Sequence, residues 1–109
     1  MKIKKTYKSI LRNDEYIYDV FGIYWDNEKT YFAYLDPNDD YAIHIYCSND
    51  VEIIDPNINF RSVFNCGLIS GIFHWSLIEK ELWSRVIENI GDSRKEFLSI
   101  IRKEKLVDY

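Results

Sequence analysis

Basic side chains are almost missing from the middle of this chain. Between residues 13 and 60, Lys29 stands alone against eleven aspartates and glutamates. The aromatic residues of that segment therefore lack the cationic groove that offsets phosphate charge, which argues against direct nucleic-acid binding. Cysteine is scarce as well. Cys47 and Cys66 form no CxxC pair, so neither a disulfide framework nor a cysteine zinc site is expected, and both thiols read as small buried hydrophobes. The two histidines, His44 and His74, sit at no metal-ligand spacing, and His74 is expected to pack beside Trp75. The four glycines, at 22, 67, 71 and 91, form no phosphate-binding loop. No window approaches the roughly 18 to 20 consecutive apolar residues of a membrane-spanning helix. The opening MKIKKTYKSILRND also lacks the apolar run and cleavage site of a signal peptide, so a cytoplasmic location is expected, with no membrane partner and no cofactor.

What is present is apolar and aromatic, at 47% and 17% of 109 residues, which fits a single domain. Residues 1 to 12 carry five bases and no acid, the acidic middle sums to −10, and the rest is close to neutral. Such a segment can project a field that repels nucleic acid and speeds the approach of a basic partner. In EYIYDVFGIYW, Ile17, Asp19, Phe21, Ile23 and Trp25 alternate with Tyr16, Tyr18, Val20, Gly22 and Tyr24, and two largely apolar faces predict an inner strand. Asp26 to Lys29 supplies a turn, TYFAYL the antiparallel partner, YAIHIYC a third strand and VEII a short fourth. KIKKTYKSIL adds an edge strand whose lysines discourage pairing with other molecules. INFRSVF and LISGIFHW read either as short strands or as an irregular crossover.

Two helices are expected at the C-terminal end. Ser76-Leu77-Ile78-Glu79 has the spacing of a capping box, and Ile78, Leu82, Val86 and Ile90, with Trp83 and Ile87 beside them, form one apolar stripe ended by Gly91. Asp92 or Ser93 then caps a second helix that buries Phe97, Leu98 and Ile101. The expected fold is α+β, a mainly antiparallel, meander-like sheet of four to six strands in residues 1 to 75, covered by two helices in residues 76 to 107.

The densest carboxylate cluster is Asp36-Pro37-Asn38-Asp39-Asp40. Asp36, Asn38 and Asp40 match the opening of a calcium loop, but Tyr41 stands where the loop needs glycine and Cys47 where it needs glutamate. Adjacent carboxylates in an exposed turn also share one environment, which does not drive their pKa values apart for acid-base catalysis. Pro37 and side chains that bond nearby amides account for the stretch as a hairpin turn.

The segment GIFHWSLIEKELWSRVIENIGDSRKEFLSIIRKEKLV resembles the closing part of small bacterial immunity proteins from contact-dependent growth inhibition and other polymorphic toxin systems, in which a Gly-aromatic-Trp lead-in precedes two short helices. The resemblance implies a non-catalytic α+β protein that binds and neutralises the toxin domain of its own system, often a nuclease. The charge pattern agrees independently, because an inhibitor of a basic nuclease sets carboxylates where phosphates would lie. The residues expected to meet such a partner are Asp26 and Glu28 in one turn and Asp36, Asp39 and Asp40 in the next, with Tyr34, Tyr41 and Tyr46 as aromatic anchors. The alternatives are a phage-type DNA mimic or anti-defence protein, which calls for evenly spaced carboxylates on an elongated surface, and a small enzyme with a Cys/His pocket between sheet and helices.

Overall fold

The computed structural model describes residues 1–109. Seven strands and three helices follow in the order β1 (Lys2–Lys8), β2 (Asn13–Trp25), β3 (Thr30–Asp36), β4 (Ala42–Cys47), β5 (Glu52–Asp55), β6 (Ser62–Asn65), β7 (Ser70–His74), α1 (Trp75–Glu79), α2 (Leu82–Ile87) and α3 (Ser93–Lys103), with one 3-10 turn at Ser48–Asp50. The fold is α+β, and every strand pairing is antiparallel.

The long strand β2 organises the sheet. Its first half, Asn13 to Asp19, pairs with β1, while its second half lies between β3 and β7. The meander holds from β1 to β4, giving the order β4-β3-β2-β1-β5, and β6 and β7 extend from the second half of β2. Two expectations change here. VEII, within which β5 begins, pairs with β1 and not with its predecessor β4, so the lysine-bearing β1 is an inner strand with acidic neighbours. In the uncertain region, β6 begins within INFRSVF and β7 lies within LISGIFHW, and this hairpin raises the strand count to seven.

A bulge at Phe21 shifts the alternation of β2 by one residue. Before it, Tyr16, Tyr18 and Val20 face away from the helices; after it, Ile23 and Trp25 take over that face. Phe21 and Gly22 both turn to the helices, since a Cβ on Gly22 would meet the Phe73 ring at 2.7 Å. Strict alternation in the sequence could not show this phase change.

Beneath the helices, Phe21, Ala33, Leu35, Ile43 and Phe73 from the sheet meet Leu77, Leu82, Val86, Phe97, Leu98 and Ile101. On the other face the sheet curls. Met1, Ile3, Tyr18, Val20, Phe32 and Tyr34 form a second, smaller core there, with Tyr46 and Val51 against it.

The helical region also departs from expectation. α1 starts at Trp75, one residue early, because the His74 imidazole accepts the Ser76 amide and so supplies the cap. Glu79 bonds Arg61 and does not reach back to Ser76. Glu81 then takes a left-handed conformation with φ of 54° and divides the expected long helix into α1 and α2. Leu82 and Val86 are fully buried, but Ile90 falls beyond α2 and is exposed. α3 buries Phe97, Leu98 and Ile101 as its periodicity requires, whereas the Ser93 hydroxyl donates to the Arg85 carbonyl and caps nothing.

Candidate functional site

The two acidic turns hold their own backbones before they offer charge to anything else. Asp26 Oδ1 accepts the amides of Glu28 and Lys29 at 2.9 and 2.8 Å, which lowers the pKa of its carboxyl. At the other turn, Asp36 Oδ1 accepts the Asn38 amide, and the carbonyls of Asp36 and Asp39 accept the amides of Asp39 and Ala42. Asp40 and Tyr41 close this connection with φ of 50° and 55°. DPNDD is thus the turn of the β3–β4 hairpin.

The turns lie at opposite ends of β3. At about 3.4 Å per residue, seven residues put them a little over 20 Å apart. That exceeds two screening lengths in physiological salt, roughly 8 Å each, so Asp26 and Glu28 act separately from the DPNDD carboxylates. The expected partner-binding residues fall into different neighbourhoods. Asp39 pairs with His44 at 2.5 Å. Asp40 stands 4.0 Å from Arg94 and, with Tyr41, borders a cleft of about 300 Å³ against the α2–α3 connection. Tyr41 stacks on Tyr109, and Arg102 lies over its ring. Tyr34 is only 4% exposed, so it is a core residue and offers a partner almost no surface.

Asp36 borders an aromatic groove. On the face away from the helices, five tyrosines touch in a closed circuit. Ring centroids are 5.5 Å apart for Tyr7 and Tyr16, 6.3 Å for Tyr16 and Tyr18, 4.4 Å for Tyr18 and Tyr34, and 4.8 Å for Tyr34 and Tyr46. The hydroxyls of Tyr46 and Tyr7 meet and close it. Burial raises the pKa of Tyr18 and Tyr34, and the contact with Tyr46 raises that of Tyr7, so these phenols stay neutral and serve as donors and acceptors. The circuit opens into a groove of about 630 Å³ lined by Tyr7, Tyr16 and Tyr18 with Asp14, Asp36 and Asn38. Lys5 caps its far end, with Nζ 5.7 and 5.2 Å from the ring centroids of Tyr7 and Tyr46.

Of the expected residues, the structure joins Asp36, Tyr46 and the buried Tyr34 to this feature. It adds Tyr7, Asp14, Tyr16, Tyr18 and Asn38. The two-residue spacing of Asp14, Tyr16 and Tyr18 was a visible signal that they share a face. Their meeting with Tyr46 and Asp36 depends on the curl of the sheet.

Charge on the opposite face is neutralised internally. Lys2 bridges Asp19 at 3.0 Å, and Lys4 lies 3.0 Å from Glu52 and 3.9 Å from Glu15. The basic and acidic blocks of the sequence are thus adjacent strands, and at the groove Asp14 is itself paired with Arg12 at 3.1 Å, which leaves Asp36 as its carboxylate without an ion-pair partner.

A second cluster has the order of a hydrolytic triad. Ser76 Oγ lies 2.9 Å from His74 Nδ1, and His74 Nε2 lies 2.5 Å from Glu104 Oε1. Because Nδ1 accepts the Ser76 amide, the proton sits on Nε2 and is donated to Glu104. His74 and Ser76 are fully buried, and no cavity opens on them. The cluster caps α1 and ties the end of α3 to β7, while Trp75 Nε1 donates to the second Glu104 oxygen. His74 packs beside Trp75, with centroids 5.6 Å apart. The cysteines are less buried than expected: Cys47 is partly covered and Cys66 is exposed. No three His, Cys, Asp or Glu side chains converge to hold a metal ion, and no helix is long and apolar enough to cross a membrane.

Comparison with protein-family models, curated proteins and solved structures finds no match to this chain.

Proposed function

We propose that this protein is a non-catalytic, cytoplasmic inhibitor of the immunity type, which neutralises a cognate secreted bacterial toxin domain by covering its basic, nuclease-like surface. The observation that carries this reading is the groove, where exposed tyrosine faces and the carboxylates of Asp14 and Asp36 share one concave surface. Aromatic side chains supply large contact area at low entropic cost, and the carboxylates steer a basic partner toward it. The C-terminal resemblance to immunity proteins points the same way. Mimicry of DNA calls for evenly spaced free carboxylates, and the pairing of Glu15, Asp19 and Glu52 with Lys2 and Lys4 favours the inhibitor reading over it.

The test is co-expression with the product of the reading frame immediately upstream. The expected result is a toxic C-terminal domain whose lethality this protein relieves, with a complex that survives gel filtration. Replacing Asp36, Asp39 and Asp40 together with alanine is expected to slow association by about tenfold at low salt, measured by stopped flow. An innocuous upstream product, or one that the protein leaves fully toxic, defeats the proposal.

A further inference from the structure

The groove has a chemistry more specific than acidity, and we infer that it receives an arginine side chain presented by the toxin domain; this inference rests on the inhibitor reading above. A guanidinium is a flat cation with five N–H donors and π faces, and it is less strongly hydrated than an ammonium. Each of those properties has a counterpart here. Tyr7 and Tyr16, 43% and 40% exposed, line the groove with aromatic surface of the kind that attracts a cation. Asp36 spends one oxygen on the Asn38 amide, and its second oxygen carries no hydrogen bond. The neutral phenol oxygens of Tyr7 and Tyr18 accept further N–H groups.

The same surface already holds cations of the chain itself. Lys5 lies over Tyr7 and Tyr46 at the closed end of the circuit. At the open end, Arg12, whose side chain is 77% exposed, reaches Asp14 with Nε at 3.1 Å. Arg12 occupies one of the two groove carboxylates and so competes with an incoming arginine for Asp14. A carboxylate-bearing or phosphate-bearing ligand is disfavoured because Asp14 and Asp36 both line the groove. The ligand chemistry is therefore a guanidinium without a nearby anion, which an arginine inside a polypeptide supplies and free arginine does not.

The probes are N-acetyl-arginine N-methylamide, its lysine counterpart and free arginine, titrated into the full chain and followed by NMR of the tyrosine rings and backbone amides. Saturable shifts at Tyr7, Tyr16 and Tyr18 are expected with the capped arginine, with a Kd on the order of 1 mM for a single side chain. Binding is expected to weaken at least fivefold in Tyr16→Ala and in Asp36→Asn, and to tighten in Arg12→Ala. Asp36→Asn keeps the oxygen that accepts the Asn38 amide, and Tyr16 is half-exposed, so both variants retain the fold, which the amide spectrum verifies. Equal binding of the lysine probe overturns guanidinium recognition. Equal or tighter binding of free arginine overturns a polypeptide source, and shifts that are unsaturable or unchanged in the variants overturn the site. A toxin neutralised at unchanged rate by Tyr16→Ala while the capped arginine still marks the groove leaves the inhibitor reading standing and removes the arginine from its interface. The reverse outcome, a groove that binds arginine in a protein with no toxin to block, separates the two failures.

Discussion

At the scale of single residues, His74 carries the clearest pH dependence. Burial lowers its pKa more than the neighbouring Glu104 raises it, and Arg61 adds to the lowering, so the native state holds the imidazole neutral. The unfolded chain binds a proton near pH 6.5, and below that pH it takes up a proton that the native state resists. The stability due to His74 is therefore full above about pH 6.5 and is lost as pH falls toward its native pKa. Urea unfolding at pH 7.5 and at pH 5.5 is expected to show a smaller acid-induced loss in His74→Gln than in the natural chain. An equal loss in both would place the proton uptake elsewhere. The sequence brought His74 to Trp75 correctly, because they are neighbours. It could not show Glu104 closing on the other ring nitrogen, because that contact spans 30 residues.

Elements depend on a few positions where side-chain size decides whether strands can meet. Gly71 is the sharpest of these. A Cβ there would lie 2.2 Å from the Ile23 carbonyl oxygen and 2.7 Å from Tyr24 Cα, both fixed by the β2–β7 pairing. Gly71→Ala is expected to cost about 3 kcal/mol, since overpacking here must move backbone. Gly67→Ala meets nothing within 4 Å and is expected to stay within about 0.5 kcal/mol of the natural chain. Chemical denaturation of both variants checks the contrast, and comparable losses would refute it. Apolar runs bounded by turn residues located the strands β2, β3 and β4, yet alternation missed the β2 bulge, because an inserted residue changes the phase without leaving a compositional mark. The helix break at Glu81 was missed for a related reason. Ile78, Leu82 and Val86 keep helical spacing across the break, so the apolar period runs on where the helix does not.

For the whole molecule, the arrangement of charge is the main result of folding. β1 places Lys2 and Lys4 among Glu15, Asp19 and Glu52, with the Asp55 strand beside them. Lys2→Gln with Lys4→Gln leaves those acids facing one another. The double variant is expected to have a lower urea midpoint at low salt and to recover as salt rises from about 0.01 to 1 M, where the screening length falls from roughly 30 to 3 Å. The natural chain should gain less from the same salt. A variant whose midpoint is insensitive to salt would show that these strands are held by apolar packing alone.

The amino-acid sequence by itself determined the α+β class, the antiparallel hairpin around Asp26 to Lys29, the turn at DPNDD and the buried side of α3, because hydrophobic period and turn chemistry are local. It also determined that a surplus of negative charge lies between residues 13 and 60. Tertiary structure alone decided where that charge is free to act. Folding placed the basic first strand against the acidic ones, set the two acidic turns at opposite ends of β3, and curled the sheet until Tyr7 met Tyr46 across 39 residues. Contacts of that range form only when β2 pairs β1 with one half and β3 with the other, so the groove exists in the fold and in no stretch of the chain.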